Sequence, residues 1–230
     1  MIADKLELLA LLEEKERRQA GRRLWTYYPD EGPLRRELYG KHMQFFAAGL
    51  QHRERAAVAA NRVGKSEGIG AYEVTLHLTG LYPDWWPGYR FDHPTNWLCG
   101  GDTSTTTRDV PCRKLFGPVE DRGTGMIPRD TILGMTTASG VPGLIDIGTV
   151  RHVSGGNSVC QFRSYDQGRA KWQGTERDGI WLDEEPPMDI YTEALIRTMT
   201  TRGMVIATFT PLSGLTDVAL SFLPNLAPVA

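Results

Sequence analysis

The chain has 230 residues, of which 40% are hydrophobic, and its 26 Lys and Arg against 28 Asp and Glu give a formal net charge of −2. This length is enough for one α/β domain with a substantial core, and the charge excludes a uniformly basic nucleic-acid binder. Three widely spaced cysteines, Cys99, Cys112 and Cys160, are typical of reduced thiols rather than a disulfide scaffold. Because no segment is long and apolar enough to span a membrane and the N-terminus lacks a signal-peptide core, we expect neither membrane association nor secretion.

The segment before the first predicted strand is helical and turn-rich. Apolar spacing predicts a helix over residues 3–20 with a solvated, charged end. Residues 25–40 are rich in turn formers, and residues 41–50 predict a short helix that carries Gln44. Because a glutamine amide offers both a donor and an acceptor, Gln44 is a candidate for reading an adenine edge. The two adjacent phenylalanines fit stacking on a base or packing in the core.

A phosphate-binding pattern follows the first predicted strand. The apolar run 56–60 predicts that strand, and residues 59–66, here called the phosphate loop, read Ala-Ala-Asn-Arg-Val-Gly-Lys-Ser before a helix from Lys65. In such loops the backbone N–H groups face anionic oxygens, the lysine adds charge for the β- and γ-phosphates, and the serine hydroxyl binds Mg²⁺. Ala59 stands where the usual pattern has a glycine. The triplet Gly-Lys-Ser alone therefore fits a capped helix with an exposed lysine equally well.

A second motif supports the nucleotide interpretation. Residues 179–185 read Gly-Ile-Trp-Leu-Asp-Glu-Glu, which predicts a buried parallel strand with acids at its carboxyl end, where open α/β sheets bind ligands. Asp183 is suited to hold Mg²⁺, and Glu184 to orient the attacking water as a general base. Strands that end in solvated acids are common, but together with the phosphate loop these acids indicate a nucleoside triphosphatase.

A third predicted strand ends in hydroxyl residues. Within residues 203–212, the apolar run 204–207 predicts a core strand that continues into Thr208-Phe209-Thr210 and is stopped by Pro211. Hydroxyls at the tip of a strand beside the phosphate-loop strand can contact a γ-phosphate or its attacking water, and can relay its loss. The alternative is that threonine occurs there for its β propensity alone.

The remaining segments predict connections and a hairpin. Residues 80–94 form an aromatic, proline-rich connection, and residues 95–101 predict a strand followed by a threonine-rich helix start over 102–107. Residues 117–147 carry many Gly and Pro, and the sequence does not assign their elements. Residues 149–165 predict a β-hairpin with a Ser-Gly-Gly-Asn turn.

The phosphate loop, the acid strand and the segment Ala-Thr-Phe-Thr-Pro-Leu, in this order, resemble the ATPase domain of the large terminase subunit of tailed bacteriophages. The resemblance covers residues 38–212. It implies an α/β P-loop fold of the additional-strand type, with a mostly parallel central sheet flanked by helices. It also implies ATP hydrolysis that drives double-stranded viral DNA into a procapsid.

The resemblance assigns roles to individual residues. It places phosphate binding on Gly64, Lys65 and Ser66, Mg²⁺ on Ser66 and Asp183, catalysis on Glu184, and coupling on Thr208 to Thr210. It gives Arg62 a role in nucleotide sensing or in stabilising the γ-phosphate. A neighbouring subunit would supply an arginine finger, for which Arg169 is preferred over Arg177. The expected ATP contacts are Gln44, Ala60, Asn61, Arg62, Val63, Gly64, Lys65, Ser66, Thr208 and Thr210.

The same resemblance sets the expected organisation and partners. We expect one ATPase domain over 1–230, with a helical, lid-like segment 1–40, a P-loop core 41–213 and a last helix or linker 214–230. Such subunits continue into a nuclease domain, and because this chain ends at Ala230 we expect no DNA cleavage by it. The expected cofactors are ATP and Mg²⁺. The expected partners are double-stranded DNA, the portal protein, the small terminase subunit and further copies in a ring, most simply a pentamer, in the cytoplasm of an infected bacterium.

Two other functions stay open. One is a helicase-like, nucleic-acid-stimulated ATPase, although further arginine-bearing motifs would be expected after the Thr-Phe-Thr strand. The other is an ATP-binding switch with negligible turnover, against which the acid at Glu184 argues. A small-molecule kinase fits less well, because the Asp-Glu pair suits water activation better than acceptor binding.

Overall fold

The computed structural model describes residues 23–212, 214 and 216–223, together with Leu11. Apart from Leu11, the helix predicted over 3–20 lies outside the described residues. No helix among the described residues is long and apolar enough to cross a membrane.

The described residues form one seven-stranded mixed sheet flanked by helices. In chain order its strands are β1 (Glu54–Val58), β2 (Asn96–Gly101), β3 (Ile132–Thr137), β4 (Ile145–Arg151), β5 (Asn157–Ser164), β6 (Gly179–Asp183) and β7 (Met204–Phe209). Their spatial order is β1-β7-β6-β2-β5-β4-β3, parallel from β1 to β5, with β4 and β3 antiparallel. Because β7 lies between the phosphate-loop strand β1 and the acid strand β6, the sheet has the predicted additional-strand order.

Helices cover the sheet and connect its strands. The α-helices are α1 (Arg23–Thr26), α2 (Gly40–Ala48), α3 (Tyr72–Thr79), α4 (Ser104–Thr107), α5 (Arg113–Phe116), α6 (Met188–Met199) and α7 (Asp217–Phe222). Wider π-type segments, Lys65–Ala71 and Arg108–Cys112, lead into α3 and α5. Short 3₁₀ turns occur at Arg36–Tyr39, Arg129–Thr131, Tyr165–Gln167 and Arg169–Lys171.

Burial on both faces of the sheet explains the composition of its central strands. Every residue of β6 and of β7 is buried, as expected of parallel strands with helices on both sides. Gly70, in the segment after the phosphate loop, lies directly against Trp181 of β6, since a Cβ there would be 2.3 Å from the indole. This close approach brings the start of the phosphate-loop helix onto the acid strand.

Two sequence predictions are corrected. The first strand is Glu54–Val58 instead of 56–60. Its charged residue Arg55 can be buried within the strand because its guanidinium is neutralised by Glu73 of α3, with one N–O distance of 2.7 Å. Strand β3 lies within residues 117–147, where no strand was predicted. The hairpin over 149–165 is confirmed as β4 and β5, which pair antiparallel.

Candidate active site

The phosphate loop closes around the ammonium group of Lys65. Two residues of the loop have positive φ, Arg62 at 65° and Gly64 at 86°, and this left-handed backbone turns the chain from β1 into the helix. The Lys65 Nζ donates to the carbonyls of Ala59 at 2.9 Å and Ala60 at 2.8 Å. Burial lowers the pKa of Lys65, and the nearby acids oppose that shift. The loop therefore holds a positive charge at its centre, where phosphate oxygens are expected.

Asp183 lies at the end of β6 beside the first turn of the phosphate-loop helix. Its side chain is buried, with the residue 2% exposed, and it accepts a hydrogen bond from the Thr208 hydroxyl at 2.8 Å. The Ser66 hydroxyl lies near enough to favour the charged carboxylate. Burial raises the pKa of Asp183 to about 6, although both hydroxyls favour the charged form. Loop and acid strand, far apart in sequence, thus meet at one point.

These residues fit a Mg²⁺ ion. Mg²⁺ takes few protein ligands and relies on water and substrate phosphates for the rest, and Ser66 and Asp183 provide a hydroxyl and a carboxylate near each other. The raised pKa of the buried Asp183 marks a carboxylate that a cation would stabilise. Among the described residues, no three His, Cys, Asp or Glu side chains gather into a metal cage.

Glu184 presents an exposed carboxylate just beyond the sheet. Its φ is 63°, and its backbone N–H donates to the Thr208 carbonyl at 3.0 Å. Asp183 is buried whereas Glu184 is exposed. The two adjacent acids therefore face different surroundings, as a metal ligand and a water-activating base require.

The two threonines of the coupling segment make different contacts. The buried Thr208 hydroxyl accepts from the Trp181 indole at 2.8 Å and donates to Asp183. The Thr210 hydroxyl instead reaches the phosphate loop, where it accepts from Lys65 Nζ at 2.9 Å and lies 2.8 Å from Asn61 Oδ1. Thr210 thus lies against the phosphate loop, while Thr208 supports Asp183; nucleotide contact by either residue stays a prediction.

A cleft of about 640 Å³ opens beside the phosphate loop. It is lined by Gln44 and Phe45 of α2, by β1 and by Val63, Lys65 and Ile69. Gln44 is exposed there, with its Oε1 3.3 Å from Lys41 Nζ, whereas Phe46 is buried in the core. The cleft places Gln44 where a base attached to loop-bound phosphates would lie, and adenine contact stays a prediction.

The two candidate arginine fingers have different environments. Arg169 Nε donates to the buried Glu193 of α6 at 2.8 Å. Arg177 is buried and donates to the side chains of Asn96 and Gln161, at the edge where β6 and β2 begin. The phosphate loop and the acids lie at the carboxyl end of the parallel strands, whereas Arg177 lies at their amino end. Arg177 therefore does not belong to the site of its own chain.

Two residues near the site make contacts that the sequence did not predict. His42 of α2 lies under the loop, with its Nε2 3.2 Å from the Val63 carbonyl and its Nδ1 2.7 Å from the Tyr28 hydroxyl. The Tyr165 hydroxyl contacts the turn that carries Glu184. Both contacts join segments distant in sequence, and spacing along the chain does not reveal them.

Comparison with known proteins identifies the family of this chain. The family model described as the N-terminal part of the terminase large subunit, T4-like-virus type, matches residues 57–229. The large terminase subunit of Salmonella phage P22 is 38% identical over 242 residues, which cover 96% of this chain and 46% of that protein. The chain therefore spans about half the length of this curated relative.

Solved structures show the same fold. The large terminase of a thermophilic bacteriophage matches with a TM-score of 0.56 and 12% identity, over 81% of this chain and 41% of that one. The ADP complex of the same phage terminase matches with a TM-score of 0.52 and 13% identity, over 81% and 42% of the two chains. Identities this low show a shared fold alone. The family model and the P22 relative carry the assignment: the chain belongs to the terminase large-subunit family and has the additional-strand P-loop fold of its ATPase domains.

Proposed function

We propose that the chain binds ATP with Mg²⁺ and hydrolyses it. The observation that carries this proposal is that Lys65 and Ser66, after β1, lie near Asp183 and Glu184, at the carboxyl end of β6. A strand between them, β7, contributes Thr210 to the same place. The ADP complex of the thermophilic phage terminase concerns a protein of the same fold and supports the nucleotide as ligand.

Each residue has a separate task in this proposal. Lys65 and the loop N–H groups hold the β- and γ-phosphates, and the apolar cleft beside Gln44 receives the base. Ser66 and Asp183 hold Mg²⁺, which when bound neutralises charge on the phosphate oxygens. Glu184 takes a proton from the attacking water, since its carboxylate is exposed whereas that of Asp183 is buried.

Arginine residues complete the charge balance. Arg62 is exposed on the phosphate loop, where the backbone is left-handed, and we assign it to the γ-phosphate in its own chain. A neighbouring copy would supply Arg169. Arginine fingers contribute about 10³–10⁵ in rate, so an isolated copy should be slow.

Family membership supports a proposal for the role in the virus. We propose that ATP hydrolysis here drives packaging of double-stranded DNA, in a ring of copies that contacts the portal protein and the small terminase subunit. These activities belong to the whole protein, of which this chain spans about half in the P22 relative.

The test is steady-state ATP hydrolysis with and without Mg²⁺ and with double- or single-stranded DNA. We expect Mg²⁺-dependent turnover that double-stranded DNA stimulates and that Lys65→Met abolishes, with Lys171→Met, an exposed lysine, as the matched control. Stimulation by single strands alone would favour the helicase-like alternative. ATP binding without turnover, at high protein concentration and with DNA, would favour a switch.

A further inference from the structure

The turn that carries Glu184 has a backbone conformation that side-chain-bearing residues rarely adopt. Its φ is 63°, in the left-handed region that favours glycine. The Glu184 carboxylate is exposed and accepts no hydrogen bond within the part of the chain that the structure describes. The backbone of the turn sets the direction in which the Glu184 side chain leaves the main chain.

A single hydroxyl reaches both carbonyls of this turn. Tyr165, at the end of β5, has its Oη 3.0 Å from the Asp183 carbonyl and 3.2 Å from the Glu184 carbonyl. The ring is buried and lies 5.6 Å from the Trp172 ring, centroid to centroid. A rigid, packed side chain thus donates to two consecutive carbonyls.

The strand pairing leaves the carbonyl of Asp183 without a backbone donor from β2. The pairing of β2 with β6 ends at Leu182, and the next backbone N–H of β2, that of Gly101, donates to the Thr107 hydroxyl at 3.2 Å. The carbonyl of Asp183 therefore receives its hydrogen bond from Tyr165 instead of from β2. On the other side of the turn, the N–H of Glu184 donates to the Thr208 carbonyl at 3.0 Å.

The phenol O–H of Tyr165 carries one proton, which the carbonyls of Asp183 and Glu184 share.

We propose that Tyr165 is a positioning residue for ATP hydrolysis: its hydroxyl fixes the left-handed turn and thereby aims the Glu184 carboxylate at the attacking water. The proposal rests on the proposed ATPase function. Without the hydroxyl, the turn is free to relax towards negative φ, which carries the carboxylate to another direction while the phosphate loop stays intact.

Tyr165→Phe tests this proposal, because it removes one oxygen and keeps the ring. Tyr191→Phe is the matched control, since Tyr191 is equally buried in the same apolar cluster and its hydroxyl bonds Glu54 at 3.0 Å, where β1 begins. The measurements are kcat, KM, affinity for a fluorescent ATP analogue, and hydrogen exchange of the Glu184 amide by NMR. We expect kcat to fall about 10- to 100-fold in Tyr165→Phe, because small displacements of catalytic groups cost about that much. KM and analogue affinity should stay unchanged, and the Glu184 amide should exchange faster.

A double variant separates positioning from a general structural effect. In a Glu184→Gln background, Tyr165→Phe should cost no further activity, since the tyrosine acts through Glu184. An unchanged kcat, an equal loss in Tyr191→Phe, or an additive loss in the double variant would each overturn the proposal. If the wild type never turns ATP over, the proposed function fails and hydrogen exchange alone decides: faster exchange in Tyr165→Phe supports the anchoring of the turn, and unchanged exchange overturns it.

Discussion

Thr208 donates its hydroxyl hydrogen to the carboxylate of Asp183 across 2.8 Å, between two neighbouring parallel strands. The same oxygen accepts from the Trp181 indole. The strand that leads to Thr210 beside Lys65 is therefore tied by a buried hydrogen bond to the acid that we assign to Mg²⁺. A shift of β7 on loss of phosphate would move the hydroxyl that bonds Asp183. This hydrogen bond is a physical means by which the predicted coupling segment can act on Asp183.

Replacing Thr208 with Val should destabilise the protein. The change leaves the buried Trp181 N–H without an acceptor and removes one donor from Asp183, at a cost of about 2–4 kcal/mol in the free energy of unfolding. Thr208→Ser keeps the hydroxyl and should stay within about 1 kcal/mol of the wild type. Denaturant unfolding measures both. Equal stability of the two variants would show that this hydroxyl contributes little.

Asp183→Asn should stabilise the protein at pH 8 while abolishing Mg²⁺-dependent turnover. The pKa of Asp183 is raised to about 6 in the folded state. Between about pH 4 and pH 6 the folded state therefore keeps a proton that the unfolded state loses. Wild-type stability from this group is therefore full below about pH 4 and falls as the pH rises to 6, by about 3 kcal/mol in all.

Thermal unfolding at two pH values tests this sign. The Tm of Asp183→Asn should exceed that of the wild type at pH 8, at about 2–4 °C per kcal/mol for a domain of this size, and the difference should shrink at about pH 4.5. Asp84→Asn, at an exposed position, should leave Tm unchanged at both. A lower Tm for Asp183→Asn at pH 8 would contradict the conclusion that the buried charge of Asp183 destabilises the folded protein.

Arg169→Ala should lower stability by about 1–3 kcal/mol. Among the described residues, Arg169 makes the only well-formed hydrogen bond to the Glu193 carboxylate. Arg197 Nε also lies 2.9 Å from Glu193 Oε1, but it does not have hydrogen-bond geometry. Lys171→Ala, in the same short turn, should have no effect. Denaturant unfolding of the two variants measures the difference.

The proposed action of Arg169 in a neighbouring copy needs a different measurement. Specific activity of the wild type should rise with protein concentration. Mixing inactive Arg169→Ala with inactive Glu184→Gln should restore turnover, since each supplies what the other lacks. A flat concentration profile together with an inactive mixture would mean that Arg169 only stabilises its own chain.

Local patterns sufficed for most of the fold. The strand 95–101 and the hairpin 149–165 carry alternating or continuous apolar residues bounded by turns, and both are found. Strand β3 escaped prediction because Gly134 and its threonines interrupt any alternation, and five of its six residues are exposed. It is held by pairing with β4 and not by burial, which leaves little trace in its sequence.

The sequence predicts those site residues that belong to a motif. It does not predict contacts that depend on the register between strands. Lys65, Ser66 and Asp183 come together as their motifs indicate. The bond from Thr208 to Asp183 depends on the register of β6 against β7, which places these two residues opposite each other. The contact of Tyr165 with the acid turn depends equally on where β5 ends, and neither can be derived from spacing along the chain.

The most direct test is ATP turnover by the wild type, Glu184→Gln and Glu185→Gln, with ATP binding measured in parallel. Glu185 is a matched control, because it is the adjacent glutamate and its carboxylate accepts from the Thr216 hydroxyl at the start of α7. We expect Glu184→Gln to lose about 10²–10⁴ in rate with ATP binding intact, and Glu185→Gln to stay near the wild type. Equal turnover by Glu184→Gln and the wild type would contradict the assignment of Glu184 as the general base.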